Sequence, residues 1–275
     1  MNVEYYNEDC LWGMGLIPDG SIDCILTDPP YKYLKNQKLE TDFNETVFFN
    51  EAKRVLKKDG FIILFGRGSS FYRWNAILSD LGFSFKEEVI WDKTSSTSPL
   101  MAMSRVHETV SIHTKGNGTI NKIKIPYVEM KEFDIESIIK DIKRLKTVLN
   151  NPTSLNAVSE YLQNNSDSSG KTIRSDFYES SEKTKHSVTM SKQVKEARGE
   201  VKLINSIHKG MNEKTIIKVN RDHFNTIHPT QKPVRLLERL LELVSRGGGF
   251  GSRSVFRFRL HRNCLYKYQQ EFYRI

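Results

Sequence analysis

The chain has 275 residues, of which 38% are hydrophobic, and its formal net charge is +9 at pH 7. This length accommodates one large α/β domain, or one domain with a sizeable insertion. No run approaches the roughly 18 apolar residues of a membrane helix, so we expect no membrane partner. The opening residues, MNVEYYNEDC, lack the basic and apolar regions of a secretory signal. Three cysteines at unrelated spacings argue against disulfides or a zinc site and favour a cytoplasmic protein.

The first third of the chain alternates strand and helix patterns. SIDCILTDPPY, at residues 21–31, is a short apolar run closed by a Pro-Pro turn, which predicts a buried strand. Residues 43–60 predict a helix that Asn44 caps and Gly60 ends. The alternation continues with a strand, a helix and two more strands at 60–66, 69–82, 85–93 and 108–116. This order predicts an α/β fold with a wound parallel sheet.

The sequence changes character between residues 117 and 220. One clear helix is predicted at 133–149, and its apolar side chains follow helical spacing: Ile135, Ile138, Ile139, Ile142 and Leu145. The polar stretch at 164–189 is rich in Ser, Lys and Asn. We interpret 117–220 as an insertion that separates a catalytic segment at 1–116 from a return segment at 221–246. Its lysines suit DNA phosphates, and a solvated surface explains them equally well.

The turn formed by Asp28, Pro29, Pro30 and Tyr31 follows the first buried strand, and ligands of open α/β sheets bind beyond such strand ends. Prolines fix φ and lack an N–H, so the turn is stiff and offers carbonyl acceptors beside a carboxylate. These acceptors suit a pure donor, such as the exocyclic amino group of a nucleobase. The aromatic ring of Tyr31 can stack on the nucleobase that carries this amino group. The alternative is an ordinary Asp-Pro turn in which Tyr31 fills space.

TDPPY resembles the catalytic motif of the amino-group DNA methyltransferases, which methylate adenine N6 or cytosine N4. The stretch at 7–31 is similar to the opening of the permuted, β-class enzymes, although Glu8 stands where the family has glycine. Later strands and the segment IHPTQKP follow in the family's order, so the resemblance covers 4–116 and 222–246. It implies a doubly wound, Rossmann-like methyltransferase sheet in which 117–220 is the target-recognition region.

The resemblance also implies a mechanism. The target base is flipped out of double-stranded DNA, its amino group donates to Asp28 and to the Pro29 carbonyl, and Tyr31 stacks on it. Pro30 completes this catalytic set, and S-adenosylmethionine donates the methyl group. Asp28 at the first motif position favours adenine over cytosine. Cytosine-N4 methylation and a non-catalytic remnant that only contacts DNA remain as alternatives.

The segment HPTQKP resembles part of the family's cofactor site. His228 and Lys232 are expected to hold the cofactor's carboxylate by charge-assisted bonds, and Pro233 is expected at the first helical position. Asp28 is also expected beside the cofactor, and Asp9 near its adenine. The alternatives are a plain helix-entry loop and, for Asp9, a solvated turn acid.

Other polar and aromatic residues carry weaker signals. The histidines show no ligand spacing, so no metal is expected. Trp74 and Trp91 are expected in the core. A cognate restriction endonuclease and a second copy of the chain in a homodimer are the protein partners that the resemblance leaves open.

The end of the chain departs from the family. The helix after HPTQKP should lead to a strand that ends in a glycine-rich turn like Asp-Pro-Phe-x-Gly-x-Gly, which wraps the methionine end of the cofactor. This chain has no such motif and continues instead as GGGFGSRSVFRF from residue 247. From residue 250 onward the sequence contains six basic residues and one acidic residue, so this tail contributes +5 to the net charge of +9.

An out-of-frame reading accounts for this tail. One legitimate coding string for residues 253–275, shifted by one base, reads DPFSGSGSTAIACINTNRNFIG, which contains the missing turn. We interpret 247–275 as an out-of-frame tail, with the shift inside the codons for 247–249. The alternatives are a basic tail and a glycine linker to a DNA-binding arm. Under our interpretation the sheet is incomplete, the strand before Asp28 becomes an exposed edge, and the chain binds the cofactor poorly.

Overall fold

The backbone of unit 1 is organised around an eight-stranded sheet. The computed structural model describes residues 4–6, 9–31, 44–95, 102–152, 155–156, 158–159, 192–222, 231–245, 255–258 and 265–268. Two units emerge: unit 1 is Met1–Ile123 with Lys214–Ile275, and unit 2 is Lys124–Glu213. The predicted boundaries of the insertion, 117–220, stay a prediction.

The elements of unit 1, in chain order, are β1 (Glu4–Tyr6), α1 (Cys10–Gly15), β2 (Ile22–Thr27), α2 (Glu45–Val55), β3 (Leu56–Gly66), α3 (Gly68–Asp80), β4 (Ser84–Asp92) and β5 (His107–Thr114). Unit 2 contributes β6 (Lys124–Ile125), α4 (Tyr127–Lys131), α5 (Ile135–Leu149), α6 (Lys192–Lys209) and β7 (Met211–Asn212). Unit 1 then resumes with β8 (Ile216–Lys218), α7 (Val234–Val244), β9 (Val255–Phe258) and β10 (Leu265–Tyr268).

The strand order of the large sheet is β1-β10-β9-β2-β3-β5-β4-β8. β2 lies parallel to both β9 and β3, and β8 lies parallel to β4. β5 is antiparallel to β3 and to β4, so the sheet is mixed rather than wholly parallel. Strands that are joined without a crossover helix pair in antiparallel fashion, and the sequence shows no helical pattern between β4 and β5. The predicted α/β class is confirmed.

Buried side chains cover both faces of the sheet. Helices α1, α2 and α3 pack on one face through residues that include Met14, Phe49 and Trp74. Helix α7 packs on the other face, where Leu236 and Leu240 join a cluster with strand residues such as Ile63, Trp91 and Ile112. Trp74 and Trp91 are both in the core, as predicted. This two-sided burial fits the predicted doubly wound arrangement.

Helix α2 begins where the sequence predicts and ends earlier. The Asn44 side chain accepts a 3.1 Å hydrogen bond from the Val47 N–H, which confirms the predicted cap. The predicted end at Gly60 is wrong, because the backbone of Leu56 is already extended and β3 starts there. Leu56 pairs with Ile22 of β2 and is fully buried. Burial in the sheet therefore outweighs the helix-favouring lysines that follow.

The predicted helix of the insertion is confirmed as α5, whose Asp134 cap accepts from the Ser137 N–H. Its buried positions are Asp141 and Val148, and the Asp141 carboxylate accepts a 2.7 Å hydrogen bond from the Tyr127 hydroxyl. Ile135, Ile139 and Ile142, by contrast, are exposed. Helical spacing identified the helix but not the side that is buried within unit 2.

The predicted exposed edge beside β2 is wrong. Backbone pairing joins residues 24–27 of β2 to Val255–Phe258 in parallel register, and β10 then pairs with β9. Sheet hydrogen bonds involve backbone groups that every non-proline residue carries. The tail can therefore extend the sheet through its backbone groups even though its sequence lacks the family's motif.

Candidate active site

Residues 28–31, the DPPY turn, lie immediately beyond the carboxyl end of β2. Pro29 and Pro30 are buried, whereas Asp28 and Tyr31 are half-buried. The Ser70 hydroxyl donates a 2.6 Å hydrogen bond to the Tyr31 carbonyl and so ties the turn to α3. The turn is therefore stiffened by its prolines and anchored from outside.

The Tyr31 side chain folds back over its own turn. Its hydroxyl donates a 2.7 Å hydrogen bond to Asp28 Oδ1. Its ring centroid lies 6.2 Å from that of Trp74, with the two planes tilted by 53°. The ring thus has a packed, defined position beside the carboxylate, within the range of favourable aromatic contacts.

A row of alternating charges starts at Asp28 and runs into the protein. Lys232 Nζ lies 2.9 Å from Asp28 Oδ2 and 2.6 Å from Glu108 Oε2. The other oxygen of Glu108 lies 3.4 Å from Lys93 Nζ. We call these four residues, Asp28, Lys232, Glu108 and Lys93, the charged row. Both lysine side chains are buried, at 6% exposed for Lys232 and 5% for Lys93, whereas Asp28 and Glu108 are 22% and 15% exposed.

The charge states of the row follow from burial and from the partners. Burial alone would lower the pKa of Lys232, but the carboxylates of Asp28 and Glu108 overcome it and raise that pKa. Burial alone would raise the pKa of Glu108, and Lys232 and Lys93 outweigh it, so that pKa is lowered. Burial lowers the pKa of Lys93, and Glu108 offsets this only in part. Lys232 and Glu108 are therefore both ionised at neutral pH.

The sheet topology explains why these distant residues meet. Asp28 follows β2, and Lys93 follows β4. Because β5 is antiparallel, its first residues lie at the same edge of the sheet, where His107 is opposite Asp92 and Thr109 is opposite Gly66. Glu108, near the start of β5, therefore lies beside the carboxyl ends of β3 and β4. Lys232 reaches Glu108 from the segment before α7.

Aromatic rings surround the inner part of the row. Lys232 Nζ lies 5.2 Å from the centroid of Phe65 and 5.7 Å from that of Trp91. The Trp91 indole N–H donates a 2.9 Å hydrogen bond to the Val219 carbonyl, which fixes the ring. The ammonium thus has two carboxylates and two ring faces around it, a favourable setting for a buried cation.

The structure brings together some of the predicted site residues. Asp28, Tyr31 and Lys232 are in direct contact, and Pro29 and Pro30 form the turn between the first two. Sequence reasoning missed Glu108 and Lys93. The sequence did offer a signal: Lys93 lies at the end of the strand predicted at 85–93, and Glu108 lies at the start of the strand predicted at 108–116. A charged side chain that is buried at such a position needs a partner of opposite charge.

Pro233 lies one position before the predicted one. Its ψ of 136° is extended, so it caps α7 and the helix begins at Val234. Its carbonyl accepts from the Leu237 N–H at 3.3 Å. The prediction of the first helical position is therefore wrong by one residue. Lys232, immediately before it, contacts Asp28 of the DPPY turn.

The two remaining predicted cofactor residues are Asp9 and His228. Asp9 is exposed and caps α1, where its Oδ1 accepts from the N–H groups of Leu11 and Trp12 at 2.8 and 3.3 Å. Its predicted role near the cofactor adenine stays a prediction. His228 lies outside the described residues.

The described part of the chain contains no group of three or more His, Cys, Asp or Glu side chains arranged to hold a metal ion. Within the same ranges, no helix combines the length and the apolar character needed to cross a bilayer. Chemically, the site offers a carboxylate whose two oxygens point to different donors, next to a phenol ring. Such a carboxylate can receive an amino group on one oxygen while a cation holds the other.

Comparison with known proteins places the chain among DNA methylases. The family model N6_N4_Mtase, described as DNA methylase, matches residues 22–250. The chain is 32% identical over 153 residues to the type II methyltransferase M.HinfI of Haemophilus influenzae, which covers 46% of the chain and 42% of that protein. It is 29% identical over 123 residues to the type II methyltransferase M.HpaI of Haemophilus parainfluenzae, covering 40% and 39%. The matches thus span about two fifths of each relative.

Solved structures give a weaker likeness. The chain is 18% identical to the cytosine-N4-specific PvuII DNA methyltransferase, with a TM-score of 0.34 over 42% of the chain and 50% of that structure. The complex of M1.HpyAVI with SAM gives 18% identity and a TM-score of 0.31, over 38% and 50%.

Proposed function

The chain belongs to the N6/N4 DNA methylase family, and we propose that it is a site-specific DNA methyltransferase acting on adenine N6 in duplex DNA. One observation carries this proposal: the half-buried Asp28 carboxylate stands at the carboxyl end of β2, with Tyr31 beside it and a charged lysine behind it. This arrangement is an acceptor site for an exocyclic amino group, flanked by a ring on which a base stacks.

The residues of the DPPY turn divide the work. An extruded adenine presents two amino hydrogens, one to Asp28 Oδ1 and one to the Pro29 carbonyl. When both hydrogens are held in this way, the nitrogen lone pair points away from the turn. Tyr31 then faces a nitrogen that becomes cationic, which an aromatic face stabilises. The methylated nitrogen then releases one proton to solvent, so the amine ends neutral with one new C–N bond in place of one N–H bond.

S-adenosylmethionine is the donor we propose, and when bound it supplies an electrophilic methyl group on a sulfonium and keeps the electron pair of the broken C–S bond. The acceptor end of the site fits such a reaction, because Asp28 and Tyr31 are in place. The methionine end fits less well. Lys232, assigned to the carboxylate by the resemblance, already contacts two carboxylates, and the sequence lacks the glycine-rich turn.

We further propose that residues 247–275 are translated out of frame and that the 275-residue chain is weakly active or inactive. The family model stops matching at residue 250, close to the codons in which we place the shift. β9 and β10 extend the sheet in backbone terms. They do not supply the glycine-rich turn, which requires glycine at defined positions for the backbone to approach the cofactor. The remainder of the proposal, target recognition by 117–220 and a cognate endonuclease, rests on family membership.

The test compares the 275-residue chain with the product of the same gene from which one base is removed in the glycine codons. Each protein is incubated with duplex DNA and S-adenosylmethionine, and the digested nucleosides are identified by mass spectrometry. We expect N6-methyladenine from the frame-restored protein, and at least roughly tenfold less from the 275-residue chain. Asp28→Ala in the frame-restored protein is the negative control.

Each other outcome has a distinct meaning. If the product is N4-methylcytosine, the target base is cytosine rather than adenine. If the frame-restored protein produces no methylated base, the enzyme proposal fails and the alternative of a non-catalytic remnant that only contacts DNA is favoured. Equal activity of the two proteins would refute the out-of-frame interpretation, as would a coding sequence that does not read DPFSGSG in the next frame.

A further inference from the structure

The Lys232 ammonium already has two anionic partners within the protein, so it is not an open site for an anionic ligand. Its side chain is 6% exposed, and its ammonium contacts Asp28 and Glu108 at 2.9 and 2.6 Å. A cofactor carboxylate would be a third anion around the same nitrogen. To bind there it would have to displace one of two charge-assisted contacts that are already made, and each such contact is stronger than a neutral hydrogen bond.

We infer that Lys232 and Glu108 are positioning residues for Asp28, with Lys232 holding the carboxylate and Glu108 holding Lys232, and that Lys232 does not bind the cofactor's carboxylate. This inference rests on the proposed function and reassigns one of its residues. Lys232 fixes Oδ2 of Asp28. Among the described residues, the donor to Oδ1 is the neutral Tyr31 hydroxyl at 2.7 Å, so Oδ1 is the oxygen that exchanges its donor for the base.

Glu108 is needed because a buried lysine with one carboxylate partner is poorly compensated. Its two oxygens divide between Lys232 at 2.6 Å and Lys93 at 3.4 Å. The Glu108 carboxylate therefore lies between two lysine side chains. Without its charge, the buried Lys232 ammonium would depend on Asp28 for compensation, and Asp28 would be drawn towards it and away from the base.

The geometry also requires Glu108 to act through Lys232. Lys232 contacts both carboxylates, Asp28 at 2.9 Å and Glu108 at 2.6 Å, and Glu108 comes from β5 whereas Asp28 follows β2. Glu108 thus influences the reacting group without being in contact with the base. Substitutions of Glu108 or Lys232 are therefore expected to lower kcat and to leave the cofactor Kd unchanged.

The experiment measures cofactor affinity by calorimetry, and kcat and KM for DNA, in the frame-restored protein and its variants. Glu108→Gln is expected to lower kcat about tenfold and Lys232→Met about a hundredfold, with the cofactor Kd within about threefold of the parent. Lys57→Met is the matched control. It removes a lysine–aspartate contact of 2.8 Å, to Asp23, at the opposite end of β2, and should leave kcat and Kd unchanged.

A second measurement separates positioning from general stability. In an Asp28→Asn background, where the group to be positioned is already altered, Glu108→Gln should reduce the residual kcat by less than about twofold, because residues that act as a unit are not additive. A merely structural role would give the full reduction again. Should Glu108→Gln fail to fold, Glu108→Asp keeps the charge, withdraws it from Lys232, and is expected to show the same loss of kcat at unchanged cofactor Kd.

The outcomes distinguish the inference from its premise. If the frame-restored parent methylates no DNA, the proposed function fails and the inference falls with it. If the parent methylates, two results overturn the inference alone: Lys232→Met that weakens cofactor binding more than about tenfold at unchanged kcat, or Glu108→Gln with full kcat.

Discussion

The Ser70 hydroxyl donates a 2.6 Å hydrogen bond to the backbone carbonyl of Tyr31, and this contact joins the first turn of α3 to the DPPY turn. Ser70 is 4% exposed, so the carbonyl has little access to water when the hydroxyl is removed. We expect Ser70→Ala to lower the free energy of unfolding by about 1–2 kcal/mol, the cost of an unsatisfied buried acceptor. Urea unfolding measures this loss. Ser79→Ala is the control, because Ser79 is exposed on the same helix, and an equal loss there would contradict the argument.

Tyr31 offers a ring and a hydroxyl, which substitutions separate. Tyr31→Phe keeps the ring and removes only the hydrogen bond to Asp28 Oδ1. In the frame-restored protein its methyl transfer should stay within about tenfold of the parent. Tyr31→Ala loses the ring and should weaken binding of the flipped base by about 1–3 kcal/mol.

The measurement for Tyr31 is kcat/KM for DNA, since base binding and transfer both enter it. A Tyr31→Phe protein as defective as Tyr31→Ala would show that the hydroxyl, rather than the ring, carries the function. A Tyr31→Ala protein with unchanged kcat/KM would show that Tyr31 only fills space, which is the alternative for an ordinary Asp-Pro turn.

Gly66 ends β3 where the chain turns into α3, and Phe71 packs directly against it. A Cβ at position 66 would lie 2.2 Å from Phe71 Cδ2 and 2.9 Å from Phe71 Cβ. The near part of that ring cannot move away without moving α3, so we expect Gly66→Ala to cost about 1–3 kcal/mol of unfolding free energy. Gly15→Ala is the matched control, because nothing lies within 4 Å of its Cβ. It should be neutral or slightly stabilising at the end of a helix.

The sequence identified those features that depend on neighbouring residues. The DPPY turn was found because a stiff turn follows an apolar run, and the Asn44 cap because its position precedes a helical pattern. Glu108 was missed because its meeting with Lys232 spans 124 residues and depends on the antiparallel pairing of β5. The end of α2 was missed because Leu56 takes its conformation from its sheet partner, Ile22. Local patterns do not encode such partners.

His113 on β5 is a buried histidine whose state is fixed by its neighbour. The Asn75 side-chain N–H donates to the Phe71 carbonyl at 2.7 Å, so the amide oxygen faces His113. It lies 2.7 Å from His113 Nε2, which therefore carries the proton of a neutral ring. His113 Nδ1 is buried and has no hydrogen-bond partner among the described residues. Burial lowers the pKa of His113 from 6.5 to about 4.

This lowered pKa of His113 makes the stability of the chain depend on pH. Between pH 6.5 and about 4 the unfolded chain binds a proton at this position and the folded chain does not, so the free energy of unfolding falls as the pH falls. From pH 7.5 to 5 the His113 contribution is about 2 kcal/mol, since each pH unit below 6.5 is worth about 1.4 kcal/mol. We expect His113→Gln to remove this part of the decline, measured as the difference in unfolding free energy from the parent at the two pH values. His208→Gln, at an exposed position, should leave the decline intact. A parent and a His113→Gln protein with parallel pH profiles would show that His113 is protonated in the folded chain as readily as in the unfolded one.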